Sequence, residues 1–154
     1  MTTISIADLS VAVPSTWRHR RDPAHGVVVA ARAPTLPPSG VRPDLVVRTT
    51  TVDHDDGAAW RYEALTELAG LLVDFALEDD DVYELDDHEV HYHRFAHRVG
   101  TADVLCDQWA WLVGGPTGGL GVTLTCSAAR VDYPDWCDVF EAVAETVELG
   151  RRAA

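Results

Sequence analysis

Two spacings of apolar residues divide the chain into predicted helices and strands. In the segment 58–77, Leu65, Leu68, Leu72 and Phe75 recur every three or four residues, which is typical of one face of an α-helix. The segment 120–126 instead alternates apolar residues with glycine and threonine, and this predicts a strand with one buried face. The spacing therefore predicts a helix over 58–77 and strands on either side of it.

Strands are predicted where short runs of apolar and β-branched residues are bounded by proline, glycine or acidic turns. Seven segments meet this description: 9–13, 26–32, 45–52, 83–85, 89–99, 104–113 and 120–126. A second helix is predicted to begin near Pro134, because proline is favoured in a first helical turn, and to stop at Gly150. The proline-rich segment 33–40 and the glycine-rich segment 114–119 are predicted to be loops, the second a hairpin tip.

The order of these elements predicts an α+β fold built on a mainly antiparallel sheet of about six or seven strands. The strand 104–113 carries apolar residues on both faces, with Cys106 and Leu112 on one and Trp109 and Trp111 on the other. Both faces of the sheet then need cover, so we expect a helix on each face, which makes a three-layer α/β/α sandwich. A length of 154 residues predicts one domain, residues 1–154.

Acidic residues cluster between the predicted helix and the next strands. The stretch 78–89 holds eight carboxylates, and it fails the test for a calcium loop of the EF-hand type. Counted from Asp79, the sixth position is Glu84 where that loop needs glycine, and the twelfth is Val90 where it needs glutamate. A solvated turn is therefore predicted here.

The net charge of −13 predicts repulsion from phosphate backbones and from anionic lipid surfaces. We therefore expect no nucleic-acid partner, and no apolar run is long enough to predict membrane insertion. The charge is uneven, because residues 1–48 have a net charge of +3, which leaves −16 for residues 49–154. The arginine-bearing end is suited to an acidic partner or to the acidic half of the chain itself. The first residues show no export signal, which predicts a cytoplasmic location.

Cys106, Cys126 and Cys137 are an odd number and lie among apolar neighbours, so buried free thiols are predicted. A Cys–His pair involving Cys106 is the one nucleophilic alternative. No nucleophile elbow, phosphate-binding loop or cofactor motif is present in the sequence. We therefore expect a protein that is not an enzyme and that needs no cofactor.

Four segments, taken in order, carry a resemblance to a known family. They are an opening strand followed by proline and tryptophan (9–17), the start of the third strand (43–47), an aromatic strand (108–111), and the stretch that leads into the last helix (124–134). In order and spacing they resemble the PsbP/Mog-like fold family, in particular its LpqN-like and DcrB-like actinobacterial members. The resemblance implies an α/β/α sandwich around an antiparallel sheet. It also implies a mainly non-enzymatic family that includes assembly factors, lipoproteins and chaperones of secreted effectors.

Histidines on the strand 89–99 are the sharpest candidate for chemistry. His91, His93 and His97 share one face of the strand, and two histidines spaced in this way can bind zinc or nickel. Phe95 occupies the middle of that face, and His97 lies about 13 Å from His93 at the rise of a strand. We expect a solvent-exposed strand, with a metal site and a pH-responsive surface as alternatives.

Tryptophans supply the candidates for partner binding, because tryptophan is enriched at interfaces as well as in cores. The candidate residues are Trp17, Trp60, Trp109 and Trp111, of which Trp17 and Trp60 lie at element ends and are expected to be exposed. The first hypothesis is a protein-binding module, an adaptor or chaperone-like protein that recognises an unidentified protein partner and is able to form a homodimer. The alternative is a small-molecule or metal-binding domain centred on His91 and His93.

Overall fold

The computed structural model describes residues 1–53, 56–115 and 118–150. Its elements are β1 (Thr2–Ile6), β2 (Leu9–Val13), β3 (Arg18–Asp22), a 3-10 turn (Pro23–His25), β4 (Val27–Arg32), β5 (Asp44–Val52), α1 (Gly57–Leu71), β6 (Val73–Leu85), β7 (His88–Val99), β8 (Ala102–Gly115), β9 (Gly118–Ala129) and α2 (Tyr133–Glu145). The prediction of an α+β fold is confirmed.

Seven strands form one sheet in the order β3-β4-β5-β9-β8-β7-β6, and every neighbouring pair is antiparallel. The hairpin β1–β2 forms a separate two-stranded sheet. Strands β3 and β6 are therefore the two edges of the large sheet. Among the described residues, no helix is long and apolar enough to cross a membrane.

Helix α1 is shorter than its apolar spacing predicts. Asp56 caps its start by accepting hydrogen bonds from the backbone N–H groups of Ala58 and Ala59, and the helix ends at Leu71 rather than at residue 77. Leu72 and Phe75 nevertheless pack against the same cluster as the helical Leu68. The regular spacing of these side chains reflects a shared burial site that spans the end of the helix and the start of β6.

Two strands escape the sequence pattern because neither has a continuous buried face. Neither β1 nor β3 was predicted, and in β3 Arg18, Arg20 and Arg21 are all exposed. The acidic stretch is exposed as predicted, but most of it belongs to β6 and only Asp86 and Asp87 form the turn to β7. An edge strand that faces water on both sides carries no alternation of apolar and polar residues.

The predicted hairpin tip 114–119 lies partly outside the described residues. Strands β8 and β9 extend into it, because Gly114 pairs with Gly119 and Gly115 with Gly118. Helix α2 begins where proline predicts but ends at Glu145, short of the predicted stop at Gly150.

The main core lies between the large sheet, the β1–β2 hairpin and helix α2. Phe140 and Val143 of α2 pack there with Trp109 and Trp111 of β8, and Trp17 meets Trp136 edge to face at 5.5 Å. Helix α1 contributes Trp60 to a smaller cluster with Val52 and Ala110. These two clusters draw on alternate residues of β8, which is the pattern that the sequence predicted for this strand.

Two of the three cysteines are buried as predicted, and the third, Cys137, is half-buried. Burial raises the pKa of the Cys106 thiol to about 12, although a hydrogen bond with Ser127 opposes the shift. A thiol with such a pKa remains protonated near neutral pH and is a poor nucleophile.

Candidate ligand cleft between strand β6 and helix α2

The predicted tryptophans lie in the core rather than on the surface. Trp17, Trp60 and Trp111 are 5%, 8% and 2% exposed, so the expectation that Trp17 and Trp60 are exposed is wrong. Trp17 and Trp60 both lie at element ends, but Trp17 packs against Trp136 of α2, and Trp60 packs against Val52 and Ala110 of the sheet. Trp109 is also buried, yet it lines a cleft of about 370 Å³ between the β6–β7 hairpin and helix α2.

Aromatic rings form the floor of this cleft. The rings of Tyr92 and Trp109, which are directly opposite each other on β7 and β8, have centroids 5.3 Å apart. The indole Nε1 of Trp109 donates a hydrogen bond of 2.9 Å to the hydroxyl oxygen of Tyr83. Tyr83 is 36% exposed, so it continues the aromatic surface from the buried indole to the solvent.

A buried carboxylate, Asp107, lies beside the aromatic floor. It is 2% exposed and accepts hydrogen bonds from the hydroxyl groups of Tyr92 and Tyr133, the latter at 2.8 Å to Oδ2. Burial raises the pKa of Asp107, and the two hydrogen bonds oppose that rise. Burial and the neighbouring carboxylate raise the pKa of Tyr133 to about 12, so its hydroxyl remains a donor.

Further carboxylates surround the mouth of the cleft. Asp79 and Asp81 come from β6, and Glu141 and Glu145 come from α2. The basic residue in the lining is Arg94, which lies opposite Asp107 and 4.0 Å from Glu78. An aromatic floor with a surplus of carboxylates favours a positively charged ligand, because ring faces and carboxylates both attract cations.

Sequence inspection missed this cleft, although one signal was available. Alternation along β8 places Asp107 on the same face as Trp109 and Trp111, and a carboxylate on an apolar strand face requires partners. The partners Tyr92 and Tyr133 come from β7 and from the first residue of α2. The antiparallel register of β7 and β8 brings Tyr92 to Asp107, and the packing of α2 on the sheet brings Tyr133 there.

The histidine strand is covered rather than exposed. His91 and His93 are 6% and 3% exposed, so the expectation of a solvent-exposed strand is wrong for both. The reason is helix α1, whose first residue, Gly57, packs so closely that an added Cβ would lie 2.8 Å from Nε2 of His91. His97 is half-buried beside Phe95, at 6.4 Å between ring centroids.

Each buried histidine has a carboxylate of its own. Nε2 of His91 lies 3.1 Å from Glu89, and Nε2 of His93 lies 3.1 Å from Asp80. In residues 1–53, 56–115 and 118–150, no group of three or more histidines, cysteines or carboxylates is arranged to hold a metal ion.

A buried arginine completes the cluster beneath α1. Arg61 is 3% exposed, donates to the side-chain oxygen of Gln108, and lies with its guanidinium carbon 4.8 Å from the ring centre of Trp60. Burial lowers the pKa of Arg61 to about 10. The pKa of His93 is also lowered, mainly by burial and to a smaller extent by the positive charge of Arg61. Nε of Arg61 and Nδ1 of His93 are both buried without a hydrogen-bond partner.

Comparison with known proteins identifies the fold. No family model and no curated protein matches the chain. The solved structure of LpqN, a protein of Mycobacterium tuberculosis involved in cell envelope biogenesis, is similar over 97% of this chain and 90% of its own, with a TM-score of 0.75 and 14% identity. Cyanobacterial PsbP from Synechocystis is similar over 96% of this chain and 91% of its own, with a TM-score of 0.67 and 13% identity.

A third similar structure is PA94 of Pseudomonas aeruginosa, a protein of unknown function and putative regulator. It covers 100% of this chain and 99% of its own, with a TM-score of 0.64 and 16% identity. The chain therefore has a PsbP-like fold, and the expectation from the sequence is confirmed. Among the solved structures it resembles, LpqN shows that this architecture extends to actinobacterial proteins.

Proposed function

We propose that this protein is a non-enzymatic protein-binding module, and that its cleft between β6 and α2 receives an arginine or lysine side chain of a protein partner. The observation that carries the proposal is the combination of the Tyr83, Tyr92 and Trp109 floor with the carboxylates at the mouth. A volume of about 370 Å³ is at the lower end of ligand pockets, which suits one long side chain. The net charge of −13 also draws cationic partners toward the protein.

The residues around the cleft support binding rather than catalysis. Asp107 accepts hydrogen bonds from two tyrosine hydroxyls, and burial raises the pKa of both tyrosines further above neutral pH, so both hydroxyls stay protonated. Cys137 lines the cleft, and its sulfur lies 3.6 Å from the carbonyl oxygen of Pro134 and 3.9 Å from Oδ1 of Asp138. The described residues of the lining include no histidine that could act as a base toward this thiol.

We also propose that the two helices cover opposite faces of the sheet, and that each helix leaves part of its face open. Trp60 of α1 packs on Ala110, whereas Phe140 of α2 packs in the cluster of Trp109 and Trp111. Residues 109 and 110 point to opposite faces of a strand. A three-layer sandwich with an open margin beside α2 accounts for the position of the cleft.

Nuclear magnetic resonance of the isotope-labelled protein tests the cleft directly. The probe is a capped peptide of three arginines, and its matched control replaces each arginine with citrulline, which is neutral and similar in shape. We expect saturable shifts of the indole N–H resonance of Trp109 with the arginine peptide, while those of Trp17 and Trp111 stay in place. An unmoved Trp109 resonance, or an equal response to citrulline, would overturn the proposal.

A pair of tyrosine variants tests whether a partner uses the same site. Tyr83→Ala removes the exposed part of the aromatic floor, and Tyr62→Ala removes a tyrosine that is 75% exposed on α1. A cation–π contact at an exposed site is worth about 0.5–1 kcal/mol, so Tyr83→Ala should weaken binding of the arginine peptide about two- to fivefold. A protein captured by the wild type should be retained by Tyr62→Ala and depleted with Tyr83→Ala; equal capture by both would contradict the proposed site.

A further inference from the structure

The two edges of the large sheet carry opposite charges. Strand β3 contains three arginines and one aspartate, whereas β6 contains six carboxylates and no basic residue. Most residues of both strands are exposed, and in the described part of the chain neither strand has a neighbour on its outer side. Each edge therefore presents unpaired backbone N–H and C=O groups together with a strong local charge.

Charged edge strands usually keep copies of a protein apart. Contact between two β6 edges, or between two β3 edges, would place like charges side by side. A contact between β3 of one copy and β6 of the next places arginines beside carboxylates, which favours cross-strand pairing. The opposite charges of the two edges therefore disfavour a β6–β6 contact and a β3–β3 contact between copies, and they favour a β3–β6 contact.

The register of the sheet places one charged residue of each edge in the same row. A single row of paired residues crosses the sheet from Arg20 on β3 to Asp80 on β6, and its members are Arg20, Ala30, Val46, Thr125, Gln108, His93 and Asp80. All neighbouring strands are antiparallel, so the first and the seventh run in the same direction. A second copy displaced sideways in the plane of the sheet meets β6 with its β3 parallel, and with Arg18 and Arg20 on the face of Asp80 and Glu84.

We propose that copies of this chain associate edge to edge, with β3 of one copy added to β6 of the next. The contact joins two different surfaces, so each added copy leaves one free edge of each kind, and the association is open-ended unless the copies close into a ring. The proposal goes beyond the cleft function, because Asp80 and Glu84 lie on the face of β6 opposite to Asp79 and Asp81, which border the cleft.

Charge reversal tests the contact in both directions. Arg18→Glu with Arg20→Glu makes β3 acidic and takes the net charge from −13 to −17, and Asp80→Arg with Glu84→Arg makes β6 basic and takes it to −9. Sedimentation of the full chain over a range of concentrations should show self-association of the wild type that weakens in 1 M salt. Each variant alone should associate at least tenfold more weakly, and an equimolar mixture of the two should recover the association.

The β6 variant also controls for net charge. Its smaller negative charge lowers the general repulsion between copies, and it is still expected to lose association. Since Asp80 contacts His93, circular dichroism establishes that each variant folds, and Glu84→Arg alone serves as the milder form. A wild type that stays monomeric at every concentration would overturn the proposal. So would self-association that both variants retain, or a mixture of folded variants that does not recover it.

Discussion

Removing one hydroxyl from the Asp107 network should cost a measurable part of the stability. In Tyr133→Phe the carboxylate loses a donor that lies 2.8 Å from Oδ2 and 3.0 Å from Oδ1, and the ring remains against Phe140 at 6.5 Å. A hydrogen bond to a charged group is worth about 1.5–3 kcal/mol. Because Tyr133 is half-buried and water can reach its place, we expect a loss of about 1–2 kcal/mol in the free energy of unfolding.

Urea denaturation at pH 7.5 measures this loss, with Tyr62→Phe on the exposed side of α1 as the matched control. The control should change the free energy of unfolding by less than about 0.5 kcal/mol. The loss in Tyr133→Phe should also shrink at low pH, because a protonated Asp107 gains less from the donated hydrogen bond. If Tyr133→Phe and Tyr62→Phe were equally stable at pH 7.5, the network would contribute nothing and the reasoning about the buried carboxylate would be refuted.

Three further predictions concern other buried groups. Burial raises the pKa of Asp44 from 3.8 to about 6, so the protonated side chain stabilises the folded state below pH 3.8 and this stabilisation is lost as the pH rises through 6. Asp44→Asn should therefore raise the free energy of unfolding at pH 7.5 by about 1–2 kcal/mol. Urea titrations that show no such rise would contradict this prediction. The lowered pKa of His93 has the opposite sign, so its contribution is lost as the pH falls below about 6.5, and His93→Gln should flatten the dependence of the melting temperature on pH between 5 and 7. Gly57→Ala should destabilise the protein because its Cβ meets His91, whereas Gly70→Ala, with open space around it, should stabilise it by about 0.5–1 kcal/mol; equal effects in thermal melts would argue against close packing of α1.

The sequence predicted the elements whose apolar residues follow the period of a strand. Strand β8 is one example, because both of its faces are apolar and its alternate residues, such as Trp109 and Ala110, contribute to different buried clusters. Strand β3 is the counterexample, since a strand that buries neither face leaves no periodic trace and resembles a polar turn. The end of α1 was predicted wrongly for a related reason: Leu72 and Phe75 are half-buried against one cluster, although one follows the helix end and the other lies in β6.

The candidate site was harder to predict because it depends on register and on partial cover by helices. His91 and His93 form a conspicuous pattern on the strand, yet the start of α1 covers them and each faces its own carboxylate. Asp107 and Tyr133 are inconspicuous in the sequence, since they lie 26 residues apart and meet only through the packing of α2 on the sheet. Spacing along one strand identifies residues on a common face, but it does not show which faces are covered.

The distribution of charge on β6 separates the two proposals of binding. Asp79, Asp81 and Tyr83 project to the side of the cleft, whereas Asp80 and Glu84 project to the side of His91 and His93. A cationic side chain bound in the cleft depends on the first set, and a neighbouring copy at the edge depends on the second. The net charge of −13 alone predicts only that the chain attracts cations. Because side chains alternate along the exposed strand β6, its carboxylates form two separate acidic surfaces, and substitutions can test each surface independently.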